Sequence, residues 1–239
     1  MMSLDAIKTL ASKLQTTELN VRREYIQHVF LSYFYQQPQT SRLFFKGGTA
    51  LRLIFGSPRF SEDLDFSTSL NNLNDLESIL LDSLQEIQRE GIKVEVIESK
   101  KTTGGYLAHL QFLLNQELIL IEFNVSEREK RLKGDVTTIA SDFLIPYTIV
   151  NLSTEQLIWE KVQALLDRQK PRDFFDIYFV LRKNLLPVKA KSILVEILDV
   201  LEKTNIDFEK ELKQFLPKSH WQIIRDFKNN LGNELRNNL

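Results

Sequence analysis

The spacing of hydrophobic residues changes several times along the first half of the chain. Residues 4–35 carry apolar side chains at near-helical spacing, and residues 72–91 form an amphipathic helical pattern that ends at Gly91. Between these segments, residues 49–55 predict a short helix that opens at Thr49. Short or alternating apolar runs predict strands at residues 42–45, 63–67, 92–99, 105–114 and 117–126.

The second half of the chain has a helical pattern. Ser153, followed three residues later by Gln156, is a capping-box pattern that predicts the start of a helix. Pro171 suits the first turn of the next helix. The predicted helices cover residues 154–168 and 172–184 and continue from residue 187 onward, with a break at Pro217.

These patterns together predict an α+β fold. We expect a mixed α/β domain over residues 1–150 and an all-helical domain over residues 151–239. Within the first of these, Asn115 and Gln116 predict a tight connection between two strands, and the charged run at residues 128–135 predicts an exposed segment.

Composition narrows the class of protein. The chain has 239 residues, of which 43% are hydrophobic and 26% charged, as is usual for a globular protein with a sizeable core. A net charge of −1 excludes a polycation built to coat nucleic acid, and the absence of cysteine excludes disulfides and thiolate zinc sites. The N-terminus lacks the apolar region of a signal peptide, and no apolar run reaches the ~20 residues that span a bilayer. We therefore expect a soluble, cytoplasmic protein with no membrane partner.

Two aspartates form the first unusual feature. Asp63 and Asp65 are one residue apart on a predicted strand, so their side chains project from one face while Leu64 and Phe66 face a core. Two carboxylates this close repel each other unless a cation lies between them, and Mg²⁺, or Mn²⁺ as the alternative, prefers such hard oxygen ligands. By itself, an Asp-x-Asp sequence is more often a solvated strand edge.

A pair of glycines precedes these aspartates. Gly47 and Gly48 lie between a predicted strand and a predicted helix, where backbone N–H groups are able to approach an anion and the positive end of the helix favours phosphate. Thr49 adds a hydroxyl, and Lys46 or Arg59 adds a positive charge. A Gly-Gly pair alone usually marks a turn, but together with the two aspartates it predicts half of a nucleoside-triphosphate site.

Glu122 is a third candidate carboxylate. One face of its predicted strand is apolar throughout, whereas the face that carries Glu122 and Asn124 turns from apolar to polar midway. A buried carboxylate needs a cation or a hydrogen-bond donor, although a partly exposed edge position explains Glu122 equally well. Three carboxylates that hold two metal ions suit phosphoryl or nucleotidyl transfer.

A second group of charged residues lies in the helical half. Lys161 is able to bind triphosphate oxygens, and Asp173 and Asp176 share a helical face. One of these aspartates is able to position the lysine or to act as a general base toward a hydroxyl acceptor. The alternative is a pair of solvated helix faces, with a plain i,i+4 ion pair between Arg172 and Asp176.

Three sequence segments, KGGTALRLIF, RFSEDLDF and EKVQALLDRQKPRDFFDIYFV, together resemble the AbiEii family of nucleotidyltransferase toxins. The resemblance covers roughly residues 20–185. It implies a nucleotidyltransferase fold like that of polymerase beta, in which a mixed sheet with flanking helices is followed by an all-helical C-terminal part. It also implies Mg²⁺-dependent transfer of nucleotides from an NTP to RNA, for related toxins the tRNA 3′ end, and an antitoxin encoded nearby.

The resemblance also assigns roles to individual residues. The implied catalytic residues are Asp63, Asp65, Lys161, Asp173 and Asp176, and the implied metal ligands are Asp63 and Asp65; the broader nucleotidyltransferase pattern adds Glu122 as a third. The residues expected to bind the nucleotide are Lys46, Gly47, Gly48, Thr49, Arg59, Ser61 and Arg172. Many nucleotidyltransferases have Gly-Ser where this chain has Gly-Gly-Thr, and Lys46 before it favours the toxin branch over a tRNA-tailing enzyme.

Two other functions are compatible with the same residues. One is a nucleotidyltransferase whose acceptor is a protein or a small molecule, and the other is a non-catalytic protein that binds a nucleotide. The presence of both Asp63 and Asp65 disfavours the second, because a protein without catalysis is free to lose them.

Overall fold

The structure is a computed structural model that describes residues 1–70, 73–127 and 131–239. Residue 72, at the start of one predicted helix, and residues 128–130 of the predicted exposed run lie outside the described residues.

The chain divides into two compact units. The first holds residues 1–56 and 60–152, and the second holds residues 57–59 and 153–239. That residues 1–150 form a nucleotidyltransferase-like domain and that the helical domain of residues 151–239 contributes to its active site stays a prediction.

The first unit is built on one mixed β-sheet. Its strands are β1 (Leu43–Lys46), β2 (Leu64–Thr68), β3 (Lys93–Thr102), β4 (Gly105–Leu114), β5 (Glu117–Ser126), β6 (Gly134–Ile139) and β7 (Tyr147–Leu152). Within the described residues these seven strands lie in the order β3-β4-β5-β2-β1-β7-β6. The helices of this unit are α1 (Leu4–Lys13), α2 (Glu18–Phe34), α3 (Gly47–Phe55) and α4 (Leu73–Arg89), with a 3-10 turn at Pro38–Arg42.

The register of the central strands brings several chain segments together. β1 pairs antiparallel with β2, so that Lys46 lies opposite Asp65. β2 pairs parallel with β5, so that Asp65 also lies opposite Asn124. Since α3 begins directly after Lys46, the start of this helix, the start of β2 and the last part of β5 are neighbours.

Phenylalanine side chains fill the core beneath these strands. Ring centroids lie 5.1–5.6 Å apart in a fully buried group made of Phe30, Phe34, Phe45, Phe66 and Phe123. Burial of one such side chain contributes about 1.5–3 kcal/mol to stability. The group packs α2 against β1, β2 and β5, and thereby anchors the strand that carries Asp65.

The predicted α+β class is confirmed, as are the five predicted strands to within a few residues. The sequence analysis missed β6 and β7. β6 is mostly exposed, with Val136 74% exposed, and therefore lacks the apolar alternation by which a strand is recognised. The helix predicted to open at Thr49 begins two residues earlier, at Gly47.

The second unit is helical, as the sequence predicts. Its helices are α5 (Thr154–Arg168), α6 (Pro171–Arg182), α7 (Leu194–Lys203), α8 (Phe208–Leu212), α9 (Trp221–Arg225) and α10 (Phe227–Asn238), with 3-10 turns at Val188–Ile193, Lys213–Phe215 and Lys218–His220. Phe174 and Phe175 of α6 pack on Phe208 and Phe227, with ring centroids 4.9–5.8 Å apart. These aromatic contacts hold α6 in the interior of the unit.

The predicted capping box at Ser153 is wrong in its hydrogen bonding. α5 does begin after Ser153, but the side chain of this residue makes no cap hydrogen bond to the helix backbone. Its hydroxyl instead lies 3.4 Å from Oε1 of Gln156, so the two side chains form a hydrogen bond with each other.

No helix in the described ranges combines the length and the hydropathy that a bilayer span requires.

We expect the hairpin between β4 and β5 to become more stable on Gln116→Gly. Asn115 and Gln116 both have positive φ, 51° and 69°, which matches a two-residue hairpin turn. Glycine removes the steric penalty of a left-handed residue, so the free energy of unfolding should rise by about 0.5–1 kcal/mol in urea titrations. Gln111→Gly, inside β4, should lower it. An unfolding free energy for Gln116→Gly at or below that of the parent would contradict this account of the turn.

Candidate active site

Asp63 and Asp65 flank the first residue of β2. Leu64 and Phe66 are fully buried, whereas the two aspartates are partly exposed. The alternation predicted from the sequence therefore puts apolar side chains into the core and leaves the carboxylates at the surface of the sheet.

The backbone at the start of α3 lies directly against Asp65. Gly47 has φ +83°, and a Cβ added to it would overlap Oδ2 of Asp65. Both the backbone conformation and the close approach therefore require glycine at this position. Gly48, which is buried, follows it in the first turn of α3. The positive end of the helix thus adjoins a carboxylate, as expected for a site that holds charged groups.

Thr49 fixes the chain just before β2. Its hydroxyl donates to the main-chain oxygen of Asp63 at 2.5 Å, and the residue is 1% exposed. The structure therefore gives this hydroxyl a backbone partner. The expectation that it contacts phosphate stays a prediction.

Polar side chains next to Asp65 come from β1 and β5. Nζ of Lys46 donates to Oγ of Ser126 at 2.9 Å, and Nδ2 of Asn124 lies 3.5 Å from Oδ1 of Asp65. The sequence analysis gave Asn124 and Ser126 no role. The sequence feature that could have identified them is the polar second half of β5, from which the sequence analysis selected only Glu122.

Glu122 lies on the same open face of the sheet, in contact with a histidine. Nε2 of His109 is 3.3 Å from Glu122, and Nδ1 of the same ring is 3.1 Å from Glu98. Hydrogen bonds from Lys100 and then from His109 lower the pKa of Glu98. In the described part of the chain, no three acidic or histidine side chains form a group that could hold a metal ion. The role of Glu122 as a third metal ligand therefore stays a prediction.

The second unit contains a buried ion cluster around Asp176. Arg59 binds this carboxylate through two nitrogens, Nε to Oδ1 at 2.8 Å and Nη2 to Oδ2 at 2.9 Å. Nζ of Lys161 donates to Oδ2 at 2.8 Å. Asp176 is 1% exposed, Arg59 4% and Lys161 7%, so two cations share one carboxylate away from water.

The pKa of Asp176 reflects two opposing effects. Burial raises it, but the charges of Arg59 and Lys161 outweigh burial and lower the pKa from 3.8 to about 2. Asp176 is therefore a carboxylate at neutral pH and a weak proton acceptor. This favours a positioning role over that of a general base.

Asp173 and Arg172 lie at the start of α6. Asp173 is 1% exposed; it accepts from Nη2 of Arg168 at 2.6 Å and from the backbone N–H of Lys170 at 3.2 Å, which caps the helix. Arg172 is partly exposed and lines a cavity of about 310 Å³ together with Lys170 and Phe215.

Asp176 pairs with Arg59 and Lys161. This differs from the alternative interpretation, which expected a solvent-exposed i,i+4 ion pair between Asp176 and Arg172.

Comparison with known proteins identifies the family. The sequence profile described as "Nucleotidyl transferase AbiEii toxin, Type IV TA system" matches residues 29–235. The chain belongs to the AbiEii family. The predicted family and nucleotidyltransferase activity are thereby confirmed. Membership of this family implies an NTP substrate and an antitoxin partner, and nucleotidyltransferases generally use a divalent metal ion.

Solved structures of other proteins share this fold. JHP933 from Helicobacter pylori is 20% identical, with a TM-score of 0.69 and 93% of each chain covered. MenT4, a nucleotidyltransferase toxin from Mycobacterium tuberculosis H37Rv, is 15% identical, with a TM-score of 0.65, and the match covers 98% of this chain and 89% of that one. Among curated proteins no match was found.

The AbiEii carboxylates fit a divalent cation. Asp63 and Asp65 supply hard oxygen donors at a partly exposed position, and the glycine at residue 47 lets the backbone lie against one of them. Mg²⁺ is commonly held by one or two carboxylates, with water and substrate phosphates completing its coordination. A pair without a third protein ligand is therefore a sufficient donor set.

We expect Gly47→Ala to lower activity about 100-fold without unfolding the protein. The added methyl would overlap Asp65 and displace its carboxylate, and a displacement of about 1 Å at a reacting centre lowers rates about 100-fold. Gly56→Ala is the matched control, because Gly56 has φ +74° but open space around an added Cβ. The two variants should lose similar stability, while only Gly47→Ala loses most of the transfer of label from NTPs. Equal activity in both variants would show that the contact with Asp65 is unimportant.

We expect Asp176→Asn to destabilise the protein by about 3–5 kcal/mol, because it leaves two buried cations without their shared carboxylate. The pKa of Asp176 is lower in the folded state, so its ion pairs stabilise the fold above pH 3.8 and are lost as the pH falls towards 2. The difference in unfolding free energy between parent and variant should therefore shrink over that range.

The control for this experiment is Glu234→Gln. Glu234 pairs with Arg182 at 3.0 Å in the same unit, but the arginine side chain is 61% exposed. The variant should lose less than about 1 kcal/mol. A loss at Asp176→Asn as small as that at Glu234→Gln would contradict the buried ion cluster.

Proposed function

We propose that this AbiEii protein transfers nucleotides from an NTP to an RNA acceptor, the tRNA 3′ end, in a Mg²⁺-dependent reaction in the cytoplasm. The observation that carries the proposal is the pair Asp63 and Asp65, partly exposed at the start of β2, with the glycine turn of α3 against Asp65. The choice of RNA, and of tRNA in particular, rests on the resemblance of the sequence motifs to those of related toxins.

Asp63 and Asp65 are the proposed metal ligands, with Glu122 as an assisting carboxylate. When bound, Mg²⁺ would neutralise triphosphate charge and lower the pKa of an attacking hydroxyl. The protein contributes orientation, because the strand register and the contact with Gly47 set the direction of the Asp65 carboxylate before the substrate arrives.

Backbone N–H groups at the start of α3 are the proposed phosphate contacts. Gly47 and Gly48 lack side chains that would block an anion, and the helix presents its positive end there. Lys46 lies in register with Asp65 and adds a positive charge beside the site. We propose that Ser61 and Arg172 also contact the nucleotide, and for Arg172 the resemblance to the family implies this contact.

Lys161 is the proposed triphosphate-binding lysine of the helical unit. Asp176 holds the ammonium group of Lys161 in one position, and Arg59 binds both oxygens of the same carboxylate. We therefore propose that Asp176 orients Lys161 and that Arg59 supports both residues. Asp173, which caps α6, fixes the start of the helix that carries Asp176.

We expect Asp65→Asn to abolish transfer of label from NTPs carrying a radioactive α-phosphate, because an amide replaces one anionic metal ligand. The fold should persist, since Asp65 is partly exposed and the core residue Phe66 is untouched. Asp82→Asn, at an exposed position of α4, should retain full transfer. The measurement is label in tRNA resolved from other RNA and from protein.

Three outcomes of this assay are informative. Label in tRNA with the parent and none with Asp65→Asn supports the proposal. Label transferred equally by both proteins contradicts the role of Asp65. Label found on a protein or a small molecule, with RNA unlabelled, contradicts the RNA acceptor.

A further inference from the structure

The four residues before the strand that carries Asp65 are each held by a different side chain. Residues 60–63, here called the lead-in segment, have neither helical nor strand structure. The side chains that hold them come from α2, which is distant from β2 in sequence, and from α3, the helix that precedes the segment. A segment without its own regular hydrogen bonds depends on such contacts for its path.

Gln27 makes the most buried of these contacts. Its Nε2 donates to the main-chain oxygen of Ser61 at 2.9 Å, and the residue is 1% exposed. It lies on α2 beside fully buried Ile26 and close to Phe30, where a leucine would fill a similar volume. The hydrogen bond, and not packing, therefore explains an amide at this position. Because the acceptor is a main-chain oxygen, Gln27 acts on the course of the backbone.

The other contacts hold the remaining residues of the lead-in segment. The guanidinium of Arg52 lies 3.5 Å above the ring of Phe60 and is itself bound to Glu24 at 2.8 Å. Nη1 of Arg23 lies 3.1 Å from Glu62.

The last contact is the hydroxyl of Thr49, which donates to the main-chain oxygen of Asp63. Gln27 and Thr49 thus hold two main-chain oxygens, those of Ser61 and Asp63, which lie two residues apart. Such a pair of contacts fixes both the position and the direction of the chain as it enters β2.

We infer that Gln27 is a positioning residue for the carboxylates of Asp63 and Asp65. The inference rests on the proposed function, in which these carboxylates bind the metal ion. Mg²⁺ demands near-ideal octahedral ligand geometry, so a small change in the path of the lead-in segment weakens the site. Gln27 contacts neither the metal ion nor the substrate in this account, and acts only through Ser61.

The test is Gln27→Leu, which keeps side-chain volume and removes the donor. We expect the dissociation constant for Mn²⁺, measured by electron paramagnetic resonance without NTP, to rise about tenfold. We expect kcat to fall by about 10–100-fold while the KM for NTP stays within about twofold. Gln36→Leu is the matched control, because Nε2 of Gln36 makes an equivalent 2.9 Å bond to the oxygen of Ser32 at an exposed position. It should bind Mn²⁺ like the parent.

A purely structural role for Gln27 would give a different result. If Gln27→Leu lowers the melting temperature but binds Mn²⁺ like the parent, the inference is overturned. Asp65→Asn, measured in parallel, separates this failure from that of the proposed function. Retained Mn²⁺ binding and activity in Asp65→Asn would refute the metal site itself, and with it the inference.

Arg23→Gln provides a second test should Gln27→Leu not fold. Arg23 holds Glu62, and its side chain is 14% exposed, so its replacement is better tolerated. Removal of a positive charge near a cation site would by itself strengthen Mn²⁺ binding. Positioning by the lead-in segment requires the opposite, a dissociation constant that rises severalfold. Tighter Mn²⁺ binding by Arg23→Gln would overturn the inference.

Discussion

The repulsion between two like charges at the start of a central strand is the interaction on which the candidate site of the first unit depends. Asp63 and Asp65 are partly exposed, and the residues that alternate with them, Leu64 and Phe66, are buried. Because Leu64 and Phe66 anchor the chain in the core, the two carboxylates stay at the surface and close to each other. The glycine at residue 47 brings the positive end of α3 against Asp65. The fold thus keeps the two carboxylates at neighbouring positions, and in the proposed function a cation binds between them.

In the second unit, by contrast, the charged side chains are buried and paired with each other. Asp176 is buried with two cations, Arg59 and Lys161, and its low pKa keeps it ionised at any physiological pH. Such a cluster is costly to assemble without complete hydrogen bonding, and its geometry is correspondingly well defined. The hydrogen bond to Asp176 thus holds the ammonium group of Lys161 in one position, as the proposed contact with a triphosphate requires. The AbiEii motifs therefore combine a partly exposed anionic pair with a buried cationic group.

Local pattern was sufficient to predict much of the fold and to select Asp63 and Asp65 as candidate site residues. Strands with strict alternation, such as β4, were predicted to the residue, and the sequence of Asp63 and Asp65 after two glycines indicated the chemistry. The mostly exposed β6 carries no such pattern and was missed. Contacts between distant positions were also beyond local pattern: Gln27 lies 34 residues from Ser61, and Arg59 lies 117 residues from Asp176. Nothing in the spacing of these residues marks them as partners.

The most direct test of this account is a crystal structure of the protein with Mn²⁺ and a non-hydrolysable NTP analogue, with the metal located by anomalous scattering. The account requires an anomalous peak within about 2–2.3 Å of carboxylate oxygens from both Asp63 and Asp65, with the triphosphate at the start of α3. A metal ion and a triphosphate bound elsewhere, with both carboxylates in contact only with solvent, would contradict it.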